Sequence, residues 1–159
     1  MKSMNRSRLM VLAVVVAALA AVLVAGWQAH RAAAVADARE DALSAAKTRV
    51  PVLLSYDNSS LSGDLDRALD QTTGAFRDDY RKIVTDVVEP TAKDRGISTQ
   101  ATVSAAGVVS GGKDEVVVLV FLTQTTTAKG DRSSVSGSRV EVTMERSGAG
   151  WKIAGLEPV

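Results

Sequence analysis

GVVSGGKDEVVVLVFLTQTTT, residues 107–127, holds the clearest β signal in the chain. Its second half, Glu115 to Thr127, is rich in Val and Thr, whose stiff branched side chains suit a pleated strand. From Val116 to Leu122 the residues are apolar at consecutive positions, so both faces are expected to be covered and the strand to be central. Ser110-Gly111-Gly112-Lys113 reads as a turn, which places Thr99 to Val109 antiparallel beside it. Downstream, Lys129-Gly130-Asp131 opens a polar connection expected to run to Ser138. Arg139 to Arg146 then alternates, with Val140, Val142 and Met144 inward and Arg139, Glu141, Thr143 and Glu145 outward. Ser147 to Gly150 turns the chain into a last strand, Trp151 to Leu156. Neighbouring strands joined by short turns predict a four-stranded antiparallel meander.

Upstream of the strands the period is helical. Leu61, Leu65, Ala68 and Leu69 share one face of a helix expected over Gly63 to Thr72, with Gly74 as its left-handed C-terminal cap. A third helix begins near Ala75 and places Phe76, Tyr80, Ile83, Val84, Val87 and Val88 together, opposite a charged face that includes Asp78, Asp79, Arg81 and Lys82. Pro90 is expected to break or bend it, and Gly96 to close the region. Helices followed by a sheet give an α+β domain, with two to three helices packed on one sheet face.

Further upstream, Leu9 to Gly26 reads LMVLAVVVAALAAVLVAG, eighteen residues without a charge. As a helix this run spans about 27 Å, against a hydrocarbon core of roughly 30 Å. Lys2, Arg6 and Arg8 precede it with no acidic neighbour, and Trp27 follows where an interfacial aromatic belongs. Basic flanks stay in the cytoplasm, so the N-terminus is expected inside and the remainder outside. A cleaved signal peptide is the competing reading, supported by Ala32-x-Ala34. The apolar run is longer than the usual h-region, and Trp27 and Arg31 crowd the exit, which favours a retained anchor. A buried core helix fits less well, because the run has no polar face.

The Ala-rich segment after Trp27 carries a narrow stripe of Val35, Ala38, Ala42, Leu43, Ala46 and Val50, expected to form a helical stalk. Pro51 is expected to kink or interrupt it, after which Val52, Leu53, Leu54 and Tyr56 enter the core and Asn58-Ser59-Ser60 turns. The expected organisation is a cytoplasmic basic tail over 1–8, a transmembrane helix from Leu9 to Trp27, a stalk over 28–50 and an extracytoplasmic domain over 51–159.

Composition narrows the functional classes. The 159 residues include no cysteine and one histidine, which excludes disulfide scaffolds, thiolate metal sites and cysteine nucleophiles. With Lys2, Arg6 and Arg8 set aside, 16 basic residues face 18 acidic ones, a balance of −2 that gives no electrostatic case for nucleic acid or a polybasic grip on lipid headgroups. His30 stands at the membrane boundary beside Arg31 without partners for ligation or base catalysis, and no DxDxDG loop or GxxxxGK[ST] motif occurs. No cofactor or metal is expected.

The succession of Tyr56-Asp57, then TTGAFRDDY over 72–80, then the strand pair and a closing Trp151-x-Ile153 resembles the Mce-associated membrane proteins of actinobacteria. The likeness covers nearly the whole chain from the anchor onward. Asn58 departs from it, since members often carry an aromatic there. The resemblance implies a curved sheet wrapped around helices, similar to the SnoaL-like cone and to the periplasmic scaffold domain of type IV secretion systems. It also implies an accessory, stabilising subunit beside an Mce lipid-import complex, with the Mce proteins and their permease as partners and room for a homo-oligomer.

Tyr56-Asp57 is the sharpest enzymatic pair, because a cone can hold a carboxylate base and a tyrosine donor in an apolar pocket. Adjacent residues point about 100° apart on a helix, so packing by Tyr56 and turn-capping by Asp57 is the simpler reading. Phe76 and Tyr80, four apart, are expected in the core, and Trp151 is expected to close it from the last strand. The protein is therefore read as a binding subunit rather than an enzyme. A lipid-binding cone module and a small extracytoplasmic enzyme of SnoaL-like type are the alternatives.

Overall fold

The computed structural model describes residues 6–130, 133–148 and 150–159. Lys2 and the start of the basic tail lie outside them, as does Asp131. Helix α1 runs Arg6–Leu54, and its apolar first half is long enough to cross a membrane by length and composition. The chain divides into a unit ending at Ala36 and a second unit, Asp37–Val159. In the first, Val22, Leu23, Val24 and Trp27 are exposed, as lipid-facing side chains of a single span would be, and the Arg31 guanidinium lies 3.7 Å from the centre of the Trp27 ring.

The second unit is α+β. The last turns of α1 are followed by α2 (Leu61–Leu69), α3 (Gly74–Ile83), a π-helical turn (Val84–Val88), α4 (Glu89–Arg95) and strands β1 (Ser98–Gly111), β2 (Glu115–Thr127), β3 (Ser134–Ser147) and β4 (Gly150–Pro158). The sheet order is β1-β2-β3-β4, every pair antiparallel: the expected meander. Register shifts at Ser104 and Val109 in β1 and at Ala154 in β4, opposite Thr143 and Met144, are the bulges that bend such a sheet.

The domain begins earlier than its expected start at residue 51. Ala38, Ala42, Ala46, Val50 and Leu53 are all at most 2% exposed and pack with Val116, Val118, Val120, Val142, Met144 and Ile153 in one core. The stripe read as a stalk face is thus the core face of α1 from Asp37 onward, and its alanines let the helix approach the sheet closely. Pro51 does not interrupt α1, which continues to Leu54. It lies in the last turn, where the single backbone bond it forfeits ends little else. Leu53 enters the core as expected, Leu54 and Tyr56 are half-buried, and Val52 points outward at 37% exposure.

Several local expectations shift for identifiable reasons. Helix α2 starts two residues before Gly63 and ends at Leu69 with Asp70 as its C-cap, so Gly74 is not that cap. Gly74 instead opens α3 with φ 59, a left-handed entry after extended Thr73 that L-residues avoid. Downstream, Glu89 N–H donates to Val84 C=O, five residues back, just before Pro90, which has no N–H to offer. Val84 is buried, whereas Ile83 at the end of α3 and Val87 within the wider turn, both expected inside, are exposed. In the sheet, β3 begins at Ser134 rather than Arg139, because Thr123 to Thr126 of β2 extend far enough to pair with Ser134 to Gly137. Strand β2 is central, with its even-numbered side chains from Val116 to Leu122 buried, but the opposite face is only half covered and Phe121 is exposed.

Candidate functional site

The densest polar constellation lies where α1 ends and the chain crosses to β1. Tyr56 exchanges two backbone hydrogen bonds with Thr99, its N–H donating to Thr99 C=O at 2.9 Å and its C=O accepting from Thr99 N–H at 2.8 Å. Beside them Ala101 N–H donates to Ser55 Oγ at 2.9 Å and Asn58 N–H to Ser98 Oγ at 3.0 Å. These bonds stitch the 55–58 segment to the first residues of β1.

Asp57 and Asp64 organise the turn that follows. Asp57 Oδ1 accepts from Ser59 N–H at 2.8 Å and from the Ser59 hydroxyl, an Asx turn that leads to the start of α2. Asp64 Oδ2 accepts from Asp57 N–H at 2.8 Å and from Ser60 Oγ at 2.9 Å, while Oδ1 pairs with the Arg67 guanidinium. Asp64 is 8% exposed, and each of its hydrogen-bond partners donates to it. The Asp57 N–H, ahead of Ser60 and Arg67, holds its pKa below the ordinary carboxylate value against the opposing effect of burial. The Ser59 hydroxyl and N–H hold Asp57 low in the same way.

Tyr80 closes the other side. Its hydroxyl donates to Leu53 C=O at 2.7 Å, taking up a carbonyl that the end of α1 leaves free. Burial, and then the neighbouring Tyr56, push its pKa up to about 12. Phe76 stacks on it with ring centres 5.9 Å apart. Tyr56 and Tyr80 both pack on the small cluster of Leu61, Leu65, Val84 and Ala92.

Tyr56, Asp57, Phe76 and Tyr80 are therefore gathered around one junction, whereas Gly74 and Trp151 stand apart. Trp151 is buried at the start of β4 with the Arg146 guanidinium 4.7 Å from its ring centre, and Glu145 lies nearest to Gly74. Trp27 belongs to the first unit, as does Leu9, whose backbone alone is described. Tyr56 packs and Asp57 caps. Asp64, the carboxylate that ties the turn together, carries no motif, although it falls three residues after Leu61 and four before Ala68, on the inward stripe of α2. A cleft of about 250 Å³ opens at this junction, lined by Ser55, Tyr56, Asp57, Asp64, Arg67 and Gln100 among others. Chemically it offers hydrogen-bonding groups and two carboxylates already ionised at neutral pH. Among the described residues no three acidic or histidine side chains converge as metal ligands would.

A family model described as "Uncharacterized protein Rv1363c/MT1408-like" matches residues 3–159. The chain belongs to this family. Its relatives include the outer membrane protein Rv1973 of Mycobacterium tuberculosis, 38% identical over 133 residues that span 84% of this chain and 83% of the relative. Among solved structures, an IcmL-like type IV secretion system protein of Legionella pneumophila superposes with a TM-score of 0.66 at 7% identity, over 76% of this chain and 91% of that one. CagV of Helicobacter pylori, a VirB8 homolog of a type IV secretion system, gives 0.59 at 14% identity, over 74% and 95%. At these identities the Rv1363c/MT1408-like chain shares the fold of the secretion proteins. The expected likeness to a secretion-system scaffold domain is present in the structure.

Proposed function

We propose that this protein is a single-pass membrane subunit that works by binding other proteins. Its N-terminus would be cytoplasmic and its 37–159 domain extracytoplasmic. One observation carries the reading. The helix that supplies an apolar segment of membrane length also supplies, in its last turns, the inner face of a domain whose fold is shared with type IV secretion proteins. Anchoring confines such a domain to the membrane surface, which raises its effective concentration beside a partner without strong pairwise affinity. Arg6 and Arg8 before the apolar run support the inside placement of the N-terminus. Both carboxylates at the Tyr56-Asp57 junction are held low and consumed by structural hydrogen bonds, which fits a positioning role better than acid–base chemistry.

The finer reading is an accessory, stabilising subunit of an Mce lipid-import complex, in contact with Mce proteins and their permease. It rests on the resemblance carried by Tyr56-Asp57, residues 72–80 and Trp151. The name of the Rv1973 relative adds the outer membrane as a place to look. The test is gentle detergent extraction of the tagged full-length protein from inner and outer membrane fractions of its native cells, with mass spectrometry against an anchor-only control. Enrichment of Mce proteins and permease supports the finer reading. Enrichment of a different envelope assembly retains the binding subunit and removes Mce. Recovery of the protein alone, from crosslinked as well as untreated cells, overturns both.

A further inference from the structure

The two edges of the sheet are treated differently. Along β4, Thr73 N–H donates to Ile153 C=O and Ile153 N–H donates to Gln71 C=O, both at 2.9 Å, and the strand carries Lys152, Glu157 and Pro158. Such cover, charge and proline are the usual protections of an edge. Strand β1 has fourteen residues, from Ser98 to Gly111, with no charge and no proline; its edge protection is confined to the bulges at Ser104 and Val109, with Ala105 to Val108 regular between them. It pairs with β2 on one side. On the other, Thr99 and Ala101 are taken by Tyr56 and Ser55, and Gly111 C=O accepts from Arg39 Nε and Nη2 at 3.1 and 2.8 Å. Between those two ends, among the described residues, the backbone from Thr102 to Ser110 has no hydrogen-bond partner on its outer side.

We propose that this β1 edge, from Thr102 to Ser110, receives an extended acidic segment of a partner protein as a fifth strand. Unpaired backbone groups in a row are complementary to another extended chain, whatever its side chains. The space for it exists: a groove of about 690 Å³ runs along the edge between Gln100 and Ala106 on one wall and Lys47 and Pro51 of α1 on the other. Thr102, Ser104, Ala105 and Gly107 are exposed and small enough to leave the approach open. Charge selects the occupant. Lys47 is the one charged residue lining the groove, it is exposed, and it has no acidic partner among the described residues. An acidic strand would pair with it, whereas a second copy of uncharged β1 would bring no carboxylate from its own edge strand.

The proposal deepens the binding-subunit reading by naming the surface, and it is tested separately from the identity of the complex. The full chain in lipid nanodiscs is mixed with a ten-residue peptide of alternating Glu and Val, with a Gln-Val peptide as the neutral control. Amide hydrogen exchange is then followed. Protection of residues 102–110 by the Glu-Val peptide, with affinity reduced about fivefold for the Gln-Val peptide and for Lys47→Glu, is the expected result. Lys47 is exposed, so this substitution leaves the core untouched. No protection at 102–110 up to millimolar peptide, or equal affinity for the acidic and neutral peptides, overturns the proposal. So does concentration-dependent protection of the same residues without peptide, which would assign the edge to a second copy. Failure here with successful co-purification leaves the binding-subunit reading in place on another surface.

Discussion

Asp64 shows how much a single carboxylate can hold. It accepts from the Asp57 N–H, the Ser60 hydroxyl and the Arg67 guanidinium, so Asp64→Asn replaces one acceptor oxygen with a donor facing donors. A loss of about 1–3 kcal/mol is expected, measurable by urea unfolding at pH 7. Because its folded pKa lies below its unfolded one, the folded state binds fewer protons in the interval between them. The contribution is complete above the unfolded value of 3.8 and is lost as pH falls through the folded pKa. The wild type should therefore lose stability more steeply than Asp64→Asn when acidified from pH 5 to pH 2. Tyr80 gives the opposite profile. Its pKa is about 12 folded against 10.0 unfolded, so the unfolded chain releases the proton first and stability falls between those values. The expected slope is at most about 1.4 kcal/mol per pH unit. Tyr80→Phe should flatten that slope and cost about 1–2 kcal/mol at neutral pH, because the Leu53 carbonyl loses its donor. An unchanged alkaline melt in Tyr80→Phe would show that another group governs it.

At the scale of elements, the β1–β2 hairpin depends on one backbone conformation. Gly111 sits at φ 146, and an added Cβ would come within 2.5 Å of Val116 Cα and 2.7 Å of Glu115 O. Gly111→Ala should destabilise by more than about 2 kcal/mol, read as a lowered Tm, whereas Gly112→Ala, with open space around it, should cost under about 1 kcal/mol. This hairpin is legible in the sequence because turn residues stand between β-branched runs, and β2 has the expected bounds; Ser110 and Gly111, which read as turn, are the end of β1. The start of β3 was not legible. Ser134 to Ser138 are mostly small and polar, and they become strand only because the long β2 supplies a partner, a cue absent from local composition. The outward position of Val87 is hidden for a similar reason. A helical period assumes a constant turn, and the π turn before Pro90 changes it. At the junction, Tyr56-Asp57 stands out by pattern, whereas Asp64 belongs to no motif and its place on the inward stripe of α2 is its one local cue.

For the whole molecule the decisive question is where the domain starts. Read from composition, the alanine stripe and Pro51 separate a stalk from a domain beginning at 51. The packing assigns the helix from Asp37 to the domain, because Ala38, Ala42, Ala46 and Val50 are at most 1% exposed against the sheet. A core this small depends on every element that seals it, since a modest domain buries little surplus apolar surface. The fragment 37–159 is therefore expected to unfold in one cooperative transition and to give a dispersed amide NMR spectrum in water without detergent. The fragment 51–159, stripped of those four side chains, leaves Val118, Val142 and Met144 uncovered on the helix-facing side of the sheet, and is expected to aggregate or melt without cooperativity. Equal, cooperative folding of both would mean that α1 lies on the sheet without sealing it. Folding of neither in water, with recovery only in the full chain, would mean that residues before Asp37 also contribute to the domain. The expected outcome, with 37–159 folded and 51–159 not, would make the last turns of α1 part of the core that carries the open β1 edge.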